Sequence, residues 1–267
     1  MNPPTDAVQR PTRAELAALG RTLFPTAIAR VRDPGFRAYL ESVVTNHAAL
    51  DRVIRAFELF APYLPDRAVT LDWGCRHGFD SCLIRRWLGA GATVHGCDLD
   101  DDDFSTFFDY AGLQYTRLDH VWELPYPDAT FDFVLSSGVM EHVANEYESV
   151  KEVWRILKPG GILAVTFLPN AWSLSENLAA VLKPGAQHNR LYRRRATRED
   201  FLKRGFLVEA SGYHQVFPTL AKTVKVGGTL GALPGVLARL NRPLERVWPV
   251  RLLASNLYFI LRKVERI

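Results

Sequence analysis

Apolar and polar positions follow two different rhythms along this chain of 267 residues. Over 12–30 and 36–62 the apolar positions recur every three to four residues, as in Leu50, Val53, Ile54, Phe57 and Phe60, which predicts amphipathic helices. Pro62 and Pro65 stop the second of them. From residue 66 short apolar runs alternate with helical segments, the signature of a parallel sheet with helices on both faces. Strands are expected near 68–73, 92–98, 114–118, 131–136, 162–168, 206–215 and 256–263. Helices are expected near 79–88, 101–111, 146–157 and 197–204, the last with Thr197 as N-cap and Asp200 at N3. Lys158-Pro159-Gly160-Gly161 ends the 146–157 helix, since proline cannot continue it and glycine tolerates a left-handed cap. Residues 169–196 and 218–250 lack a clear period and read as insertions, the second partly helical; residues 1–11 are Pro-rich and expected to be loose. Periodicity alone gives a doubly wound α/β fold.

The run VTLDWGCRHGFDS (69–81) concentrates the chemistry. An apolar strand ends on Asp72 and breaks into a turn holding Gly74 and Gly78, whose freedom at positive φ lets backbone approach a ligand. A second apolar run, ATVHGCD, ends on Asp98, 26 residues after Asp72. An acid closing the second strand can accept hydrogen bonds from ribose hydroxyls. The turn lacks a full G-x-G-x-x-G because Arg76 interrupts it, which argues against a pyrophosphate-binding dinucleotide site and for a cofactor with a ribose and no phosphate. Arg76 is expected to point to solvent, with a cofactor carboxylate as the alternative.

Three stretches resemble the class I S-adenosylmethionine-dependent methyltransferases, in their small-molecule, methyltransferase type 11-like branch. Asp72-Trp73-Gly74-Cys75-Arg76-His77-Gly78 is similar to the family's D-x-G-C-G-x-G; LPYPDATFDFVLSSGVMEHV (124–143) resembles LPFPDxSFDxVxxxxVLEHV; KEVWRILKPGGILAVTFLPN (151–170) resembles REIxRVLKPGGxLxxxxPN. The resemblance covers residues 66–216 and implies a Rossmann-like, seven-stranded sheet whose last strand is antiparallel. It implies an N-terminal helical lid over 1–65 and a methyltransferase domain over 66–267. It further implies S-adenosylmethionine as cofactor, with Gly74, Cys75 and Gly78 beside its methionine part, Asp72 near its amino group and Asp98 on the ribose. By the same resemblance Leu99 flanks the adenine, Asp119 and His120 lie at its exocyclic amine, and Ser136 ends the fourth strand beneath the cofactor.

Methyl transfer is an in-line displacement that needs alignment, no metal, and a base when the acceptor is a hydroxyl. His142, in Met140-Glu141-His142-Val143, and His188, beside Asn189 and Arg190, are the leading candidate bases, with His214 and His47 behind them. Nearly half the residues are apolar, enough for a large core. No apolar run reaches the ~20 residues that span a bilayer, and MNPPTDAVQR has no secretory h-region. Cys75, Cys82 and Cys97 have neither disulfide nor metal-ligand spacing and read as buried residues of a cytoplasmic protein. Residues 1–149 carry 13 Lys and Arg against 22 Asp and Glu, a net of −9; residues 150–267 carry 20 against 7, a net of +13. The basic half suits an acidic or lipid-linked acceptor and contact with the inner membrane face as well as a plain solvated surface. Lys183, Arg190, Arg193, Arg194, Arg195, Arg198, Lys203 and Arg204 are candidate phosphate or carboxylate ligands. The reading is methyl transfer to a small molecule, at a hydroxyl of a sugar, lipid-linked glycan or secondary metabolite. A nucleic-acid methyltransferase is the alternative, disfavoured because Ser136-Ser137-Gly138 replaces an amino-methylating Pro-Pro motif; a non-catalytic cofactor-binding scaffold is another.

Overall fold

The structure, a computed structural model, describes residues 9–45, 47–99, 102–120, 122–177, 188–217 and 233–264, the side chains of 47 and 233–238 excepted. Seven strands form one sheet: β1 (Val69–Trp73), β2 (Thr93–Asp98), β3 (Gln114–Arg117), β4 (Phe131–Ser137), β5 (Leu157–Pro169), β6 (Phe206–His214) and β7 (Asn256–Lys263). Their order is β3-β2-β1-β4-β5-β7-β6. β1 pairs in parallel with β2 and β4, β2 with β3, and β4 with β5, whereas β7 runs antiparallel to β5 and β6. The chain thus winds outward in both directions from the β1–β4 junction. Open α/β sheets bind ligands at the strand carboxyl ends of such a junction.

The helices around the sheet include α1 (Arg13–Ile28), α2 (Pro34–Thr45), α3 (His47–Phe60), α4 (Phe79–Leu88), α5 (Ser105–Ala111), α6 (Glu146–Ile156), α7 (Arg194–Lys203) and α8 (Leu233–Leu244). The expected 36–62 helix is two helices, α2 and α3, followed by a tight turn at Ala61–Tyr63 that contains Pro62. α5 begins later than expected because the acids before it are spent on the loop: Asp102 accepts from the backbone N–H groups of Arg32 and Asp33, and Asp103 from Ser105. Asp100 and Asp101 lie outside the described residues. Thr197 is not a cap. It sits inside α7 and its hydroxyl donates to the Arg193 carbonyl at 3.0 Å, while Arg193 holds the N-cap without a side-chain bond. The Lys158–Gly161 turn is no helix cap either: α6 ends at Ile156, Leu157 already pairs with Phe131, and Gly160 (φ 74°) lies where the β4–β5 register shifts. Residue 10 is not loose, since the Arg10 guanidinium binds the Trp87 carbonyl at 2.6 Å and Asp66.

The two faces of the sheet carry two cores. On one, α1–α5 bury Phe24, Phe57, Phe79 and Phe107 against Val94, Phe133, Leu135 and Ile260. On the other, α6 and α7 pack Val153, Ile156 and Phe201 against Leu71, Val134, Leu163 and Phe259. Phe133 and Val134 go to opposite cores because neighbouring strand side chains point to opposite faces. The N-terminal helices therefore share a core with the sheet. Phe24 of α1 is 1% exposed and its ring lies 4.8 Å from Phe79 and 5.2 Å from Phe107. Phe24→Ala is expected to cost about 3–5 kcal/mol, read from chemical denaturation; an unshifted midpoint would remove α1 from the cooperative core.

Candidate cofactor cleft and its rim

Between β1 and α4 the backbone turns left-handed three times, at Gly74 (φ 71°), Arg76 (φ 43°) and Gly78 (φ 76°). The turn folds onto β2, with the Gly74 and Cys75 N–H groups donating to the Cys97 carbonyl at 2.8 and 3.2 Å. A Cβ on Gly74 would meet Val139 Cγ2 at 2.5 Å, so no side chain fits there. Positive φ is costly for arginine. Two contacts hold Arg76: its N–H donates to Asp98 Oδ2 at 2.7 Å, and its guanidinium lies 4.0 Å over the Phe36 ring, a cation–π contact. Arg76 is exposed, as expected, but it stacks on α2 instead of pointing freely into solvent.

The turn divides a cleft into two compartments. One, of about 290 Å³, is lined by Asp72, Asp80, Ser137 and Glu141, with Tyr39 and Arg52 of the N-terminal helices as its outer wall. The other, of about 270 Å³, is lined by Asp98, Leu99, Leu118, Val139 and His142. Gly74, Arg76 and Gly138 border both, which makes the two continuous. Of the residues expected from the sequence, Asp72, Gly74, Cys75 and His188 meet in the first compartment, and Asp98, Leu99 and His142 in the second. Gly78 instead supports the turn, at positive φ and with a Cβ pressing on the Phe108 ring at 3.0 Å. Ser136 is fully buried with its hydroxyl unpartnered, and its neighbour Ser137 reaches the cleft. Asp119 and His120 are exposed beyond β3, outside both linings, where Leu118 stands in their place.

Asp72 is 1% exposed and accepts from the Ser81 hydroxyl at 2.7 Å. Burial, and then the charge of Asp80, holds its carboxyl well above the ordinary range. Burial raises Asp80 as well, opposed by a hydrogen bond from Ser137 and the charge of Arg52. Two crowded acids with raised pKa values in a cleft mark a candidate site, of a chemistry that suits a cation.

The rim adds a second titratable group. Glu141 has a side chain 4% exposed, one oxygen without a partner, and a pKa pushed up to about 7 by burial. The sequence singles out His142 in the Glu141-His142 step, but burial distinguishes Glu141. The His142 side chain is 68% exposed, with Nε2 at 3.8 Å from Glu141; partial burial lowers its pKa. His188 Nδ1 lies 2.9 Å from Glu176 Oε1, which orients the ring, and the two histidine rings are 6.0 Å apart. Glu141, His142 and His188 each bring a ligand atom within 4.8 Å of the others, a donor set that also suits a transition metal. His214 does not reach the cleft: it is buried between Phe167 and Glu245, its pKa lowered to about 3 by burial. The side chain of His47 is outside the described residues.

The basic residues of 183–204 do not converge. Arg190 donates to the Met140 and Val143 carbonyls at 2.8 and 3.1 Å and fixes the loop after β4. Arg195 pairs with Glu199, Arg204 with Asp200, and Arg193 stacks on Trp172; Lys183 is outside the described residues. All three cysteines are buried free thiols, with Cys97 pushed up to about 12 by burial. Among the described residues no helix is long and apolar enough to cross a membrane.

Comparison with known proteins gives a consistent picture. A methyltransferase domain family matches residues 71–165. A probable S-adenosylmethionine-dependent methyltransferase of Mycolicibacterium smegmatis is 31% identical over 118 residues, covering 43% of this chain and 43% of that protein. Demethylmenaquinone methyltransferase of Symbiobacterium thermophilum is 40% identical over 140 residues, covering 47% of this chain and 55% of that protein. The chain spans about half the length of these curated relatives or less. The structure of Burkholderia thailandensis 1,6-didemethyltoxoflavin-N1-methyltransferase, with bound 1,6-didemethyltoxoflavin and S-adenosylhomocysteine, is similar at a TM-score of 0.55 and 18% identity, covering 98% of this chain and 94% of that one. That likeness concerns the fold.

Proposed function

We propose that the chain is a class I S-adenosylmethionine-dependent methyltransferase, supported by the methyltransferase domain match over residues 71–165 and by its relatives, and that it methylates a hydroxyl of a small molecule. The observation that carries the reading is the pairing of an acidic compartment at Asp72 and Asp80 with a second acidic point at Asp98 across one glycine turn. The residues fit the cofactor: the close approach at Gly74 leaves no room for a Cβ, and the buried acid pair suits an ammonium group. Asp72 and Asp80 would hold the amino-acid end; Asp98 would take the ribose, and Leu99 and Leu118 the base. Asp119 and His120, exposed beyond β3, would be reached only by the outer edge of that base.

When bound, the sulfonium supplies an electrophilic methyl group and leaves as a neutral thioether. The protein's part is to align the acceptor oxygen and take its proton. Glu141, His142 and His188 are the residues for that task. Glu141 is the strongest base candidate because a carboxyl raised to about 7 is partly ionised at neutral pH and, once ionised, is a stronger base than an ordinary carboxylate. Glu176 orients His188, and Arg52 bounds the acceptor side. A sugar, lipid-linked glycan or secondary metabolite fits this open, polar rim, and peripheral contact with a membrane face is compatible with it.

The test is transfer of labelled methyl from the cofactor to a panel of hydroxyl acceptors. Glu141→Gln is expected to lower kcat by about 10²–10⁴ and to remove the rise in rate near pH 7, with affinity for S-adenosylhomocysteine unchanged. Addition of a chelator should leave the rate as it was; a rate lost with chelator and restored by a divalent ion would instead make Glu141, His142 and His188 a metal site. Cofactor binding without transfer to any acceptor would favour the scaffold reading.

A further inference from the structure

A larger cavity, of about 540 Å³, lies outside the cofactor cleft, between α3, the end of β6, α8 and the turn at Val250–Leu253. Five guanidinium groups line it, those of Arg55, Arg194, Arg242, Arg246 and Arg251, against the carboxylates of Glu58 and Glu245. The two carboxylates are already committed. Glu245 pairs with Arg55 and accepts from the Gln215 N–H at 2.6 Å, and Glu58 pairs with Arg242 and Arg13. Arg194, Arg246 and Arg251 are left without a carboxylate among the described residues. Arg194 has the Ser211 hydroxyl at 3.2 Å and the Tyr213 ring. Arg251 Nε is buried with no hydrogen-bond partner, as is His214 Nε2 in the same lining.

Three like charges around one cavity repel one another unless an anion enters. One bidentate guanidinium satisfies a carboxylate, whereas a phosphate has enough oxygens for several. Tyr213 and Tyr258 also line the cavity. The concave shape suits a single terminal group better than a polymer backbone. We propose that this cavity binds the phosphate group of a phosphorylated small molecule or lipid. The site is separate from the cofactor cleft but adjacent to it: Arg52 of α3 lines the cleft and Arg55, one turn along, lines the cavity. The inference stands on the cavity alone and does not depend on methyl transfer.

Calorimetric titration with pyrophosphate at fixed ionic strength tests it, together with sedimentation on phosphatidylcholine vesicles with and without phosphatidate. Binding of pyrophosphate assigns a soluble phosphate ester; binding of phosphatidate vesicles alone assigns a lipid headgroup. Arg246→Ala, at an exposed position, and Arg194→Ala should each weaken the observed binding about tenfold or more, with affinity for S-adenosylhomocysteine unchanged. Arg198→Ala, which removes the same charge on α7 outside the lining, should leave it intact. Absence of binding to both probes, or an equal loss in Arg198→Ala, would overturn the proposal. If Arg194→Ala fails to fold, Arg246→Ala carries the comparison.

Discussion

Asp98→Ala is expected to weaken binding of S-adenosylhomocysteine by about 10²–10⁴-fold while the protein stays folded. The carboxylate ends β2 at the cleft, with Oδ2 accepting from the Arg76 N–H at 2.7 Å and Oδ1 from the Leu99 N–H at 2.6 Å. Each oxygen keeps a further acceptor site, and these point the acid at a pair of ribose hydroxyls in the proposed complex. Hydrogen bonds to a charged acceptor are worth about 1.5–3 kcal/mol each, and two of them give the stated factor at tenfold per 1.4 kcal/mol. Loss of the bond to Arg76 costs the fold about 1 kcal/mol, because water can reach the exposed N–H. Asp98→Asn, which keeps an acceptor but no charge, should fall between parent and alanine. Calorimetry with a thermal melt of each variant separates the two effects; an alanine variant that binds like the parent would remove Asp98 from the cofactor site.

The second large effect is of pH on cofactor affinity. In the free protein burial holds Asp72 and Asp80 above the ordinary carboxylate range, and the charge of Asp80 raises Asp72 further. At low pH they are protonated, and a cationic amino group must displace a proton to bind. Binding therefore releases protons, and affinity should rise as pH is raised from about 6 to about 8, by up to tenfold per unit where one full proton is displaced. Asp72→Asn should flatten the slope and weaken binding most at the alkaline end. An affinity constant across that range would mean that the acid pair does not meet the ligand's cation. The sign also applies to folding: the folded protein holds these protons more tightly than the unfolded chain, so the pair costs stability as pH rises through the raised range.

The sheet is legible in the sequence where strands are buried on both faces. β1, β4 and β7 read as apolar runs, and α4 is delimited by Gly78 and Gly89. Asp72, Gly74 and Asp98 are legible because a strand end and a glycine fix their place by backbone alone. What escapes the sequence depends on burial across elements. Asp80 and Glu141 look like ordinary surface acids of a helix start and a loop, and become chemical groups only because the N-terminal helices and β5 enclose the cleft around them. Thr197 looks like a cap because the apolar period of α7 starts after it, yet the helix begins three residues earlier at Arg194. The arginine cavity draws on α3, α7, α8 and the turn after it, and in sequence it shows only as a basic C-terminal half.

The central claim is that the cleft between β1, β2 and β4 is built for S-adenosylmethionine. Calorimetric titration of the protein with S-adenosylmethionine and S-adenosylhomocysteine, with NADH as control, tests it most directly. One-site micromolar binding of the first two and none of NADH is the predicted result. Binding of NADH in their place, or no heat with either sulfur compound, would contradict it.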